Sequence, residues 1–306
     1  MGRERYTNLN GNRNVNSFND LLKWQRERRM KKKDLSYIVP QASDKKIDYL
    51  QSNSHEATIT WIGHSSFLIQ MNGLNIVTDI VWANRMGLDI RLTNPGIQPD
   101  EMPEIDVVLI SHSHYDHLDI PSLKKLKGSP MYFVPIGLKP LLKRKRFQNV
   151  KEFSWWDSTF IDDVKFTFVP AQHWTKRSLT DTNTSHWGGW IIEASEKTIY
   201  FAGDSGYFDG FKEIGRKYKI DYALIPIGAY EPEWFMSSQH INPEEAVKAF
   251  IDVKGRYFIP MHYGAFRLAD DTPKEALDRL LIEWERKKLD KSSLFLLKLG
   301  ETIRVD

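Results

Sequence analysis

The sequence predicts an α/β (α+β) fold in which two mixed β-sheets pack face to face and helices cover their outer surfaces. Apolar segments of strand length recur from about residue 58 to the C-terminus, and helical patterns lie between them. The first strand candidates are joined as hairpins, which favours layered sheets over a purely parallel sheet. The chain shows no internal repeat and no low-complexity linker. We therefore expect one domain over residues 57–306, preceded by an N-terminal extension over residues 1–56.

The N-terminal extension is expected to contain a basic helix followed by an extended strap. Residues 1–33 carry ten Lys and Arg against three Asp and Glu. Within residues 17–33 a partial apolar face is formed by Phe18, Leu21, Leu22 and Met30, with Trp24 beside it. The plain interpretation is a solvated helix packed on the core, and the alternative is contact with an anionic membrane surface. Residues 34–56 contain Pro40 and scattered charge, so we expect them to be extended.

The strand candidates begin with residues 58–61, 66–71 and 74–78, which predict successive antiparallel strands. Asn72-Gly73 between the last two is a strong hairpin signal. Residues 107–110 are wholly apolar, which predicts a strand buried on both faces. Further strands are predicted at residues 131–134, 165–169, 189–193, 198–201, 222–226, 257–260, 294–297 and 302–305.

Helices are predicted between these strands at residues 120–127, 137–145, 209–217, 243–252 and 273–289. The helix at 243–252 has the clearest start, because Asn242 offers a cap and Pro243 suits the first helical position.

Composition limits the chemistry that the chain can perform. With 41% hydrophobic and 27% charged residues among 306, it resembles a soluble globular protein, and no apolar run has membrane-spanning length. The absence of cysteine excludes disulfides and thiolate metal sites, so any metal must be held by His, Asp or Glu. We expect a cytoplasmic protein, because the N-terminus does not read as a secretory signal. A net charge of +3 gives no indication of nucleic-acid binding.

The segment Ser111-His-Ser-His-Tyr-Asp-His-Leu-Asp119 directly follows the predicted buried strand. It places three imidazoles and two carboxylates within eight residues. Imidazole with carboxylate suits zinc, or sometimes iron or manganese. Two metals about 3.5–4 Å apart form a recognised hydrolytic arrangement. The plain alternative is a polar loop with unrelated histidines.

Three more candidate ligands, His173, Asp204 and His262, also come directly after predicted strands. Rigid scaffolds often place chemistry at such positions. Each alone would more often be a loop residue bonded to backbone, but together with the histidine-rich segment they favour a metal centre.

The spacing His112-x-His114-x-Asp116-His117 resembles the signature of the metallo-β-lactamase superfamily. That resemblance implies an αββα sandwich with the site at one edge, the metallo-β-lactamase fold. It also implies that His112, His114 and His173 hold one metal, that Asp116, His117 and His262 hold the other, and that Asp204 bridges both. Asp79 matches an aspartate that supports the ligands, although Ile80 stands where the family usually has proline.

A closer resemblance covers about residues 58–270. It rests on segments that include His173–Arg177, Trp187–Trp190, Phe201–Tyr207, Ile225–Pro232, Gln239–Val247 and His262–Phe266. These resemble the zinc phospholipase D family that acts on N-acyl-phosphatidylethanolamine and its bacterial relatives. The ascorbate-6-phosphate lactonase group is similar too, less closely, through Gly63-His64-Ser65-Ser66. The resemblance implies two Zn²⁺ per chain, a phospholipid or other phosphodiester substrate, and a homodimer. Peripheral contact with the membrane through the basic helix would suit a lipid substrate, and it stays the alternative interpretation of that helix.

Phosphodiester hydrolysis suits such a centre, because a metal-bridging hydroxide can attack and the metals can neutralise developing phosphoryl charge. Our candidate catalytic residues are Asp116 and His240. His240 is a candidate for binding substrate or protonating the leaving alkoxide, and a structural role bonded to backbone is the alternative. Tyr115 could bind a phosphate oxygen, or simply pack.

A lipid substrate also needs an apolar groove. The candidates are Trp155, Trp156, Trp174, Trp187, Trp190, Trp234, Phe235 and Met236, although aromatic residues line cores as often as pockets. Two other functions stay open. One is a lactonase or a phosphodiesterase acting on a small soluble substrate, and the other is a non-catalytic metal-loaded scaffold. The complete ligand set argues against the scaffold.

Overall fold

A computed structural model describes residues 4–13 and 15–305, so the expectations for residues 1–3, 14 and 306 lie outside the described part of the chain. Within it the helices are α1 (Phe18–Met30), α2 (Ile47–Ser52), α3 (Ile120–Leu123), α4 (Lys139–Arg144), α5 (Gly210–Lys217), α6 (Glu233–Met236), α7 (Pro243–Asp252) and α8 (Pro273–Arg286). The strands are β1 (Thr58–Gly63), β2 (Ser66–Met71), β3 (Leu74–Thr78), β4 (Arg85–Met86), β5 (Asp89–Ile90), β6 (Val107–Leu109), β7 (Met131–Pro135), β8 (Val150–Phe153), β9 (Ser158–Ile161), β10 (Val164–Val169), β11 (Gly189–Ala194), β12 (Lys197–Phe201), β13 (Tyr222–Pro226), β14 (Tyr257–Met261) and β15 (Thr302–Arg304).

The strands form two large mixed sheets and one small hairpin. Over the described residues, the first sheet has the order β15-β1-β2-β3-β6-β7-β8, and the second has the order β14-β13-β12-β11-β10-β9. Strands β1, β2 and β3 pair antiparallel, as predicted, whereas β3, β6, β7 and β8 pair parallel. Strands β4 and β5 pair only with each other.

The core lies in layers on both sides of the first sheet. On β6, Val107 and Leu109 join the cluster between the two sheets, whereas Val108 belongs to a second cluster beneath the outer helices. This alternation confirms that the wholly apolar strand is buried on both faces. Helices α5, α7 and α8 contribute Phe211, Phe250 and Trp284 to the cluster that covers the second sheet. The arrangement confirms the predicted αββα sandwich.

Most predicted elements are present within a few residues of their expected ends, but two predictions are wrong. Residues 294–297 do not form a strand, because Leu294 makes only an isolated bridge to Phe258 after a short 3-10 turn. Residues 34–56 are not wholly extended, since α2 forms there and buries Leu50 completely. Strands β8 and β9 were not predicted; β9 is an edge strand whose residues are exposed or half-buried, so its sequence lacks a strong apolar signal.

Helix α1 packs on the protein, as the plain interpretation of the basic helix predicts. Leu21 and Trp24 contact a small cluster that includes Phe235 and Met236 of α6. The Trp24 indole donates to the Asp270 carboxylate, and Lys31 pairs with the same buried carboxylate at 3.0 Å. Part of the helix's positive charge is therefore used in internal ion pairs. Among the described residues, no helix has the length and apolarity that a membrane crossing requires.

Candidate metal centre

The fold brings the ends of several parallel-running strands to one edge of the sandwich. In the second sheet β10, β12 and β14 run in the same direction, and in the first sheet β1, β3 and β6 do. The residues that follow their carboxyl ends therefore meet at the same edge. These are His173, Asp204 and His262 from the second sheet, and His64, Asp79 and the segment 111–119 from the first. All of the predicted ligands lie in this one cluster.

One group of candidate ligands consists of His112, His114 and His173. The His112 Nε2 and His114 Nδ1 atoms are 2.9 Å apart, and His173 Nε2 lies 3.1 Å from His114 Nδ1. All three ligand atoms lie within 4.8 Å of one another. Three imidazole nitrogens converging at such short range form a donor set suited to a divalent transition metal.

A second group consists of Asp116, His117, His262 and Asp204. The His117 Nε2 atom lies 3.2 Å from His262 Nε2, 3.3 Å from Asp116 Oδ2 and 3.0 Å from Asp204 Oδ2. His262 Nε2 is 3.5 Å from Asp116 Oδ2 and 3.1 Å from Asp204 Oδ2. Four donors about 2.0–2.1 Å from a tetrahedral zinc ion would be about 3.3 Å apart, so this spacing fits zinc.

Asp204 lies between the two groups. Its Oδ2 atom is 3.9 Å from His112 Nε2 and 4.0 Å from His173 Nε2, besides its short contacts with the second group. Its Oδ1 atom is buried and has no hydrogen-bond partner among the described residues. The backbone before Asp204 packs closely against Gly188 and Ser111. A Cβ atom at Gly203 would lie 2.7 Å from both the Gly188 carbonyl oxygen and Ser111 Cβ. This position and the orphaned oxygen fit a carboxylate that bridges two ions.

Asp79 orients the ligands, as the resemblance implies. It is fully buried and accepts hydrogen bonds from the Ser111 N–H at 2.8 Å and from His117 Nδ1 at 2.7 Å. The Ser111 hydroxyl also donates to Asp79 and accepts from His112 Nδ1. These bonds turn the Nε2 lone pairs of His117 and His112 toward the metal centre. The ring of His173 is oriented in the same way, since its Nδ1 donates to the Gln239 carbonyl oxygen at 2.8 Å.

The histidines of the two groups differ in their charge at pH 7. Burial lowers the pKa of His112 and His173 well below its usual range and that of His114 to about 4, so these ligands are neutral at pH 7. Burial also opposes charge on His262 and His117, but the attraction and hydrogen bonds of Asp204 and Asp116 together outweigh it. The pKa of His262 is raised to about 9, and that of His117 is raised well above its usual range. The second group thus carries protons that a cation must displace.

Metal binding at pH 7 should therefore release protons. We expect about two per chain from the ligands, one each from His117 and His262, because a ligand nitrogen must be deprotonated, and a water that ionises on the metals adds to this number. The number should fall as the pH rises through about 9, where His262 loses its proton without metal. Zinc titration by calorimetry in buffers of different ionisation enthalpy measures it. A heat that does not depend on the buffer would contradict the assignment.

His64 is a site residue that sequence reasoning did not assign. It is buried, its Nε2 atom lies 3.1 Å from Asp116 Oδ2, and its ring lies 4.1 Å from that of His262 between centroids. The backbone φ angles of His64 and His262 are +56° and +61°, a region that residues with a side chain rarely adopt. Such outliers concentrate at functional sites. The contact with Asp116 places His64 beside a candidate ligand.

Asn8 is a second residue that the sequence did not reveal. Its side chain is almost fully buried and forms two hydrogen bonds of 3.0 Å with the backbone N–H and carbonyl of His173. The Asn8 Oδ1 atom also accepts from the Trp187 indole at 2.9 Å. The N-terminal segment thus fixes the backbone of a candidate ligand 165 positions away.

Replacing Asn8 by alanine should weaken metal binding in the group that contains His173. Removing a supporting contact of a ligand typically lowers metal affinity about 10–100-fold, and we expect about tenfold because other contacts to His173 remain. Competition with a zinc chelator measures the affinity. Asn10→Ala is the matched control, since Asn10 is exposed and bonds only locally to the Asn12 N–H. Equal affinities for the two variants would show that Asn8 does not support the ligand.

The structure also places the remaining candidates. His240 lies in the centre, with its Nδ1 atom 3.8 Å from Asp204 Oδ2 and its ring against that of His173. Tyr115 is half exposed; its hydroxyl donates to the Arg177 carbonyl oxygen, and its ring lies under the Arg177 guanidinium.

Most of the proposed groove aromatics lie elsewhere. Trp174 contacts His114 and lines a cavity beside the centre. Trp187 and Trp190 are fully buried, Trp155 stacks on His186, and Trp156 packs on the main core. Trp234, Phe235 and Met236 form α6, which α1 covers in part. These aromatic residues therefore do not form one groove.

Comparison with known proteins identifies related chains. A family model described as "Beta-lactamase superfamily domain" matches residues 74–263. The chain is 36% identical over 265 residues to "N-acyl-phosphatidylethanolamine-hydrolyzing phospholipase D 1" of Caenorhabditis elegans, covering 79% of this chain and 74% of that protein. It is 37% identical to the mitochondrial phospholipase D of the same name from Saccharomyces cerevisiae, covering 74% of this chain but only 52% of that protein. A UPF0173 metal-dependent hydrolase of Methanopyrus kandleri is 30% identical, covering 71% of this chain and 88% of that protein.

A solved structure confirms the fold. Igni18, a metallo hydrolase from the archaeon Ignicoccus hospitalis, superposes with a TM-score of 0.64 at 23% identity. The match covers 82% of this chain and 99% of Igni18. At this identity the likeness supports the fold alone.

Proposed function

This chain belongs to the beta-lactamase superfamily of metal-dependent hydrolases, and on that premise we propose that it is a zinc phosphodiesterase of phospholipase D type. We propose further that it cleaves N-acyl-phosphatidylethanolamine-like lipids to an N-acylethanolamine and phosphatidic acid. The observation that carries the proposal is the spacing of the second ligand group, whose donors lie 3.0–3.5 Å apart around Asp204. The nematode and yeast relatives, which are named for this reaction, support the choice of substrate.

The donor set fits the proposed ions. Two zinc ions, when bound, would supply a water nucleophile active at neutral pH and positive charge for the phosphoryl oxygens. His112, His114 and His173 would hold one ion, Asp116, His117 and His262 the other, and Asp204 both. Residues outside this set hold the ligands in place, since Asp79 fixes the rings of His117 and His112 through direct and Ser111-mediated hydrogen bonds.

Substrate would reach the centre through a cavity of about 780 Å³ whose lining includes His114, Asp116, Trp174 and Tyr115. This volume is within the range of small-molecule sites. Tyr115 at its wall is placed to contact a phosphate group that enters, although its hydroxyl is bonded to the Arg177 carbonyl oxygen. His240 Nδ1 lies 3.8 Å from Asp204 Oδ2, so His240 is the candidate to orient or protonate the leaving group.

Metal analysis and a product assay together test the proposal. The purified chain should contain two zinc ions, and a chelator should abolish activity that zinc restores. In mixed micelles of N-acyl-phosphatidylethanolamine, mass spectrometry should detect N-acylethanolamine and phosphatidic acid. Diacylglycerol as the product would contradict cleavage of the phospholipase D type. Hydrolysis of a soluble chromogenic diester or a lactone without any lipid cleavage would favour a small soluble substrate.

Replacing His240 by alanine should slow turnover about 10²–10⁴-fold while both ions stay bound, because a group acting in proton transfer contributes about that much. Burial lowers the pKa of His240 to about 4, so it is neutral at pH 7, which favours a hydrogen bond to the substrate over protonation of the leaving group. His240→Gln keeps a hydrogen-bond donor that cannot exchange a proton. Activity retained in the Gln variant would indicate orientation of substrate, and loss in both would indicate proton transfer. Loss of metal from the Ala variant would show instead that His240 is a ligand.

We propose further that α1 contacts the membrane surface and that the chain forms a homodimer. Phe18 and Met30 of α1 are 71% and 81% exposed, which supports contact with an apolar environment. Arg28 and Lys31, by contrast, pair with Asp270, so they contribute less free charge to a surface. Sedimentation velocity measures the oligomeric state, and vesicle binding of Phe18→Ser measures the contribution of the helix.

A further inference from the structure

Two loop tips line the same cavity as the candidate ligands His114 and Asp116. One is the turn of the β4–β5 hairpin, which contributes Met86 and Gly87, and the other is the loop that contributes Ser178 and Leu179. Because both tips border the opening to the metal centre, whatever contacts them also determines how substrate approaches.

The tips present large apolar side chains to solvent. Leu88 is 94% exposed, Leu179 is 92% exposed and Ile90 is 60% exposed. Single exposed leucines are ordinary on protein surfaces. These three differ because they belong to two separate loops that border one cavity, and because the two leucines are almost fully exposed.

Positive charge accompanies these apolar tips. Arg85 and Lys176 line the cavity beside them. Of the carboxylates nearby, Asp89 pairs with Arg28 at 3.2 Å. Asp181 accepts from the Arg177 and Ser178 N–H groups, and Asp119, which also lines the cavity, accepts from Ser122, so both carboxylates are engaged in local hydrogen bonds. The tips therefore present apolar side chains next to cations, which is the complement of a surface of phosphate groups above acyl chains.

We propose that these tips, Arg85–Ile90 and Lys176–Leu179, form a docking surface for a phospholipid bilayer with anionic headgroups. Leu88 and Leu179 insert at the boundary between headgroups and acyl chains, while Arg85 and Lys176 contact phosphates. The cavity and the metal centre then face the bilayer, so a lipid headgroup can enter without leaving the membrane plane. The surface is distinct from α1, and it rests on the proposed function because it names the source of the substrate.

Vesicle co-sedimentation of a Leu88→Ser/Leu179→Ser variant tests the surface. Each leucine should contribute about tenfold to partitioning, so the double variant should bind about a hundredfold more weakly. Wild type should prefer vesicles of phosphatidylcholine mixed with phosphatidylglycerol over phosphatidylcholine alone, and Arg85→Ser should reduce that preference. Ile282→Ser is the matched control, because Ile282 is 67% exposed on α8, and it should bind as wild type does.

Assays on two substrates separate this proposal from the proposed function. The double variant should lose far more activity on lipid in vesicles than on a soluble diester. A wild type that hydrolyses neither substrate would reject the activity, while a hundredfold loss of vesicle binding would still support the surface. Unchanged vesicle binding by the double variant would overturn the surface. So would loss of binding in Phe18→Ser alone, which would assign it to α1. A wild-type dimer that the double variant converts to monomers would show that a second copy covers the tips.

Discussion

The Asp204→Ala variant should lose metal from both ligand groups and with it about 10³-fold or more of the hydrolytic activity. The reason lies in the position of this carboxylate. Its Oδ2 atom is 3.0 Å from His117 Nε2 and 3.1 Å from His262 Nε2, and it also lies near both Nε2 atoms of the other group. Alanine removes a donor from each ion and leaves the positive charges of the centre without their nearest anion. Elemental analysis and hydrolysis of a soluble diester measure the two losses.

Asp209→Ala is the matched control for this variant. Asp209 lies five positions further along the chain, and among the residues that the structure describes its exposed carboxylate pairs only with the neighbouring Lys212. It should keep its metal and its activity. Full metal content with retained hydrolysis in Asp204→Ala would refute the bridging role, and circular dichroism would show whether the variant is folded.

Asp79→Ala should be the most destabilising single substitution in the centre. We expect it to lower the free energy of unfolding by about 3–5 kcal/mol. Alanine leaves the Ser111 N–H, the Ser111 hydroxyl and the His117 Nδ1–H without their shared acceptor in a fully buried position. His117 also loses the contact that orients its ring, so metal affinity should fall about 10–100-fold. Urea denaturation and chelator competition measure the two effects.

Asp79→Asn separates these causes. Asp79 has a φ angle of +33°, and asparagine tolerates positive φ better than alanine does. The asparagine oxygen can still accept some of the hydrogen bonds, so the loss of stability should be smaller. The negative charge opposite His117 is gone in both variants, so metal affinity should fall in both. Wild-type stability in Asp79→Ala would show that water or a shifted side chain replaces the acceptor.

The candidate ligands that the sequence suggested do lie in one cluster, because each of them carries a local signal. Each of His173, Asp204 and His262 follows an apolar strand directly, and the segment 111–119 has an unusual density of histidine and aspartate. A residue that follows the end of a strand lies at the edge of the sheet toward which that strand runs. The convergence of these residues on one centre was implied by the family resemblance, because the strand directions that produce it depend on pairings that the sequence alone does not give.

The residues that were missed depend on contacts that no local pattern records. Asn8 stands in a polar segment without periodicity, and its partners His173 and Trp187 are far along the chain. His64 belongs to the Gly63-His64-Ser65-Ser66 motif, but the motif gives no role to its side chain, whose contact with Asp116 depends on the fold. The aromatic groove shows the opposite error. Tryptophan is a residue type that often lines pockets. The Trp190 indole, however, lies in the core and donates to the carbonyl oxygen of Ile110, which follows β6 of the other sheet.

Because the candidate ligands come from both sheets, bound ions would also stabilise the fold. His112, His114, Asp116 and His117 follow β6, whereas His173, Asp204 and His262 follow strands of the opposite sheet. Bound cations would thus act as a clasp across one rim of the sandwich. Their binding energy would add to folding stability and grow with the logarithm of free zinc concentration. Zinc scarcity would then loosen this rim first, and amide exchange in segments 111–119 and 202–206 would report it while the helical layers stay protected.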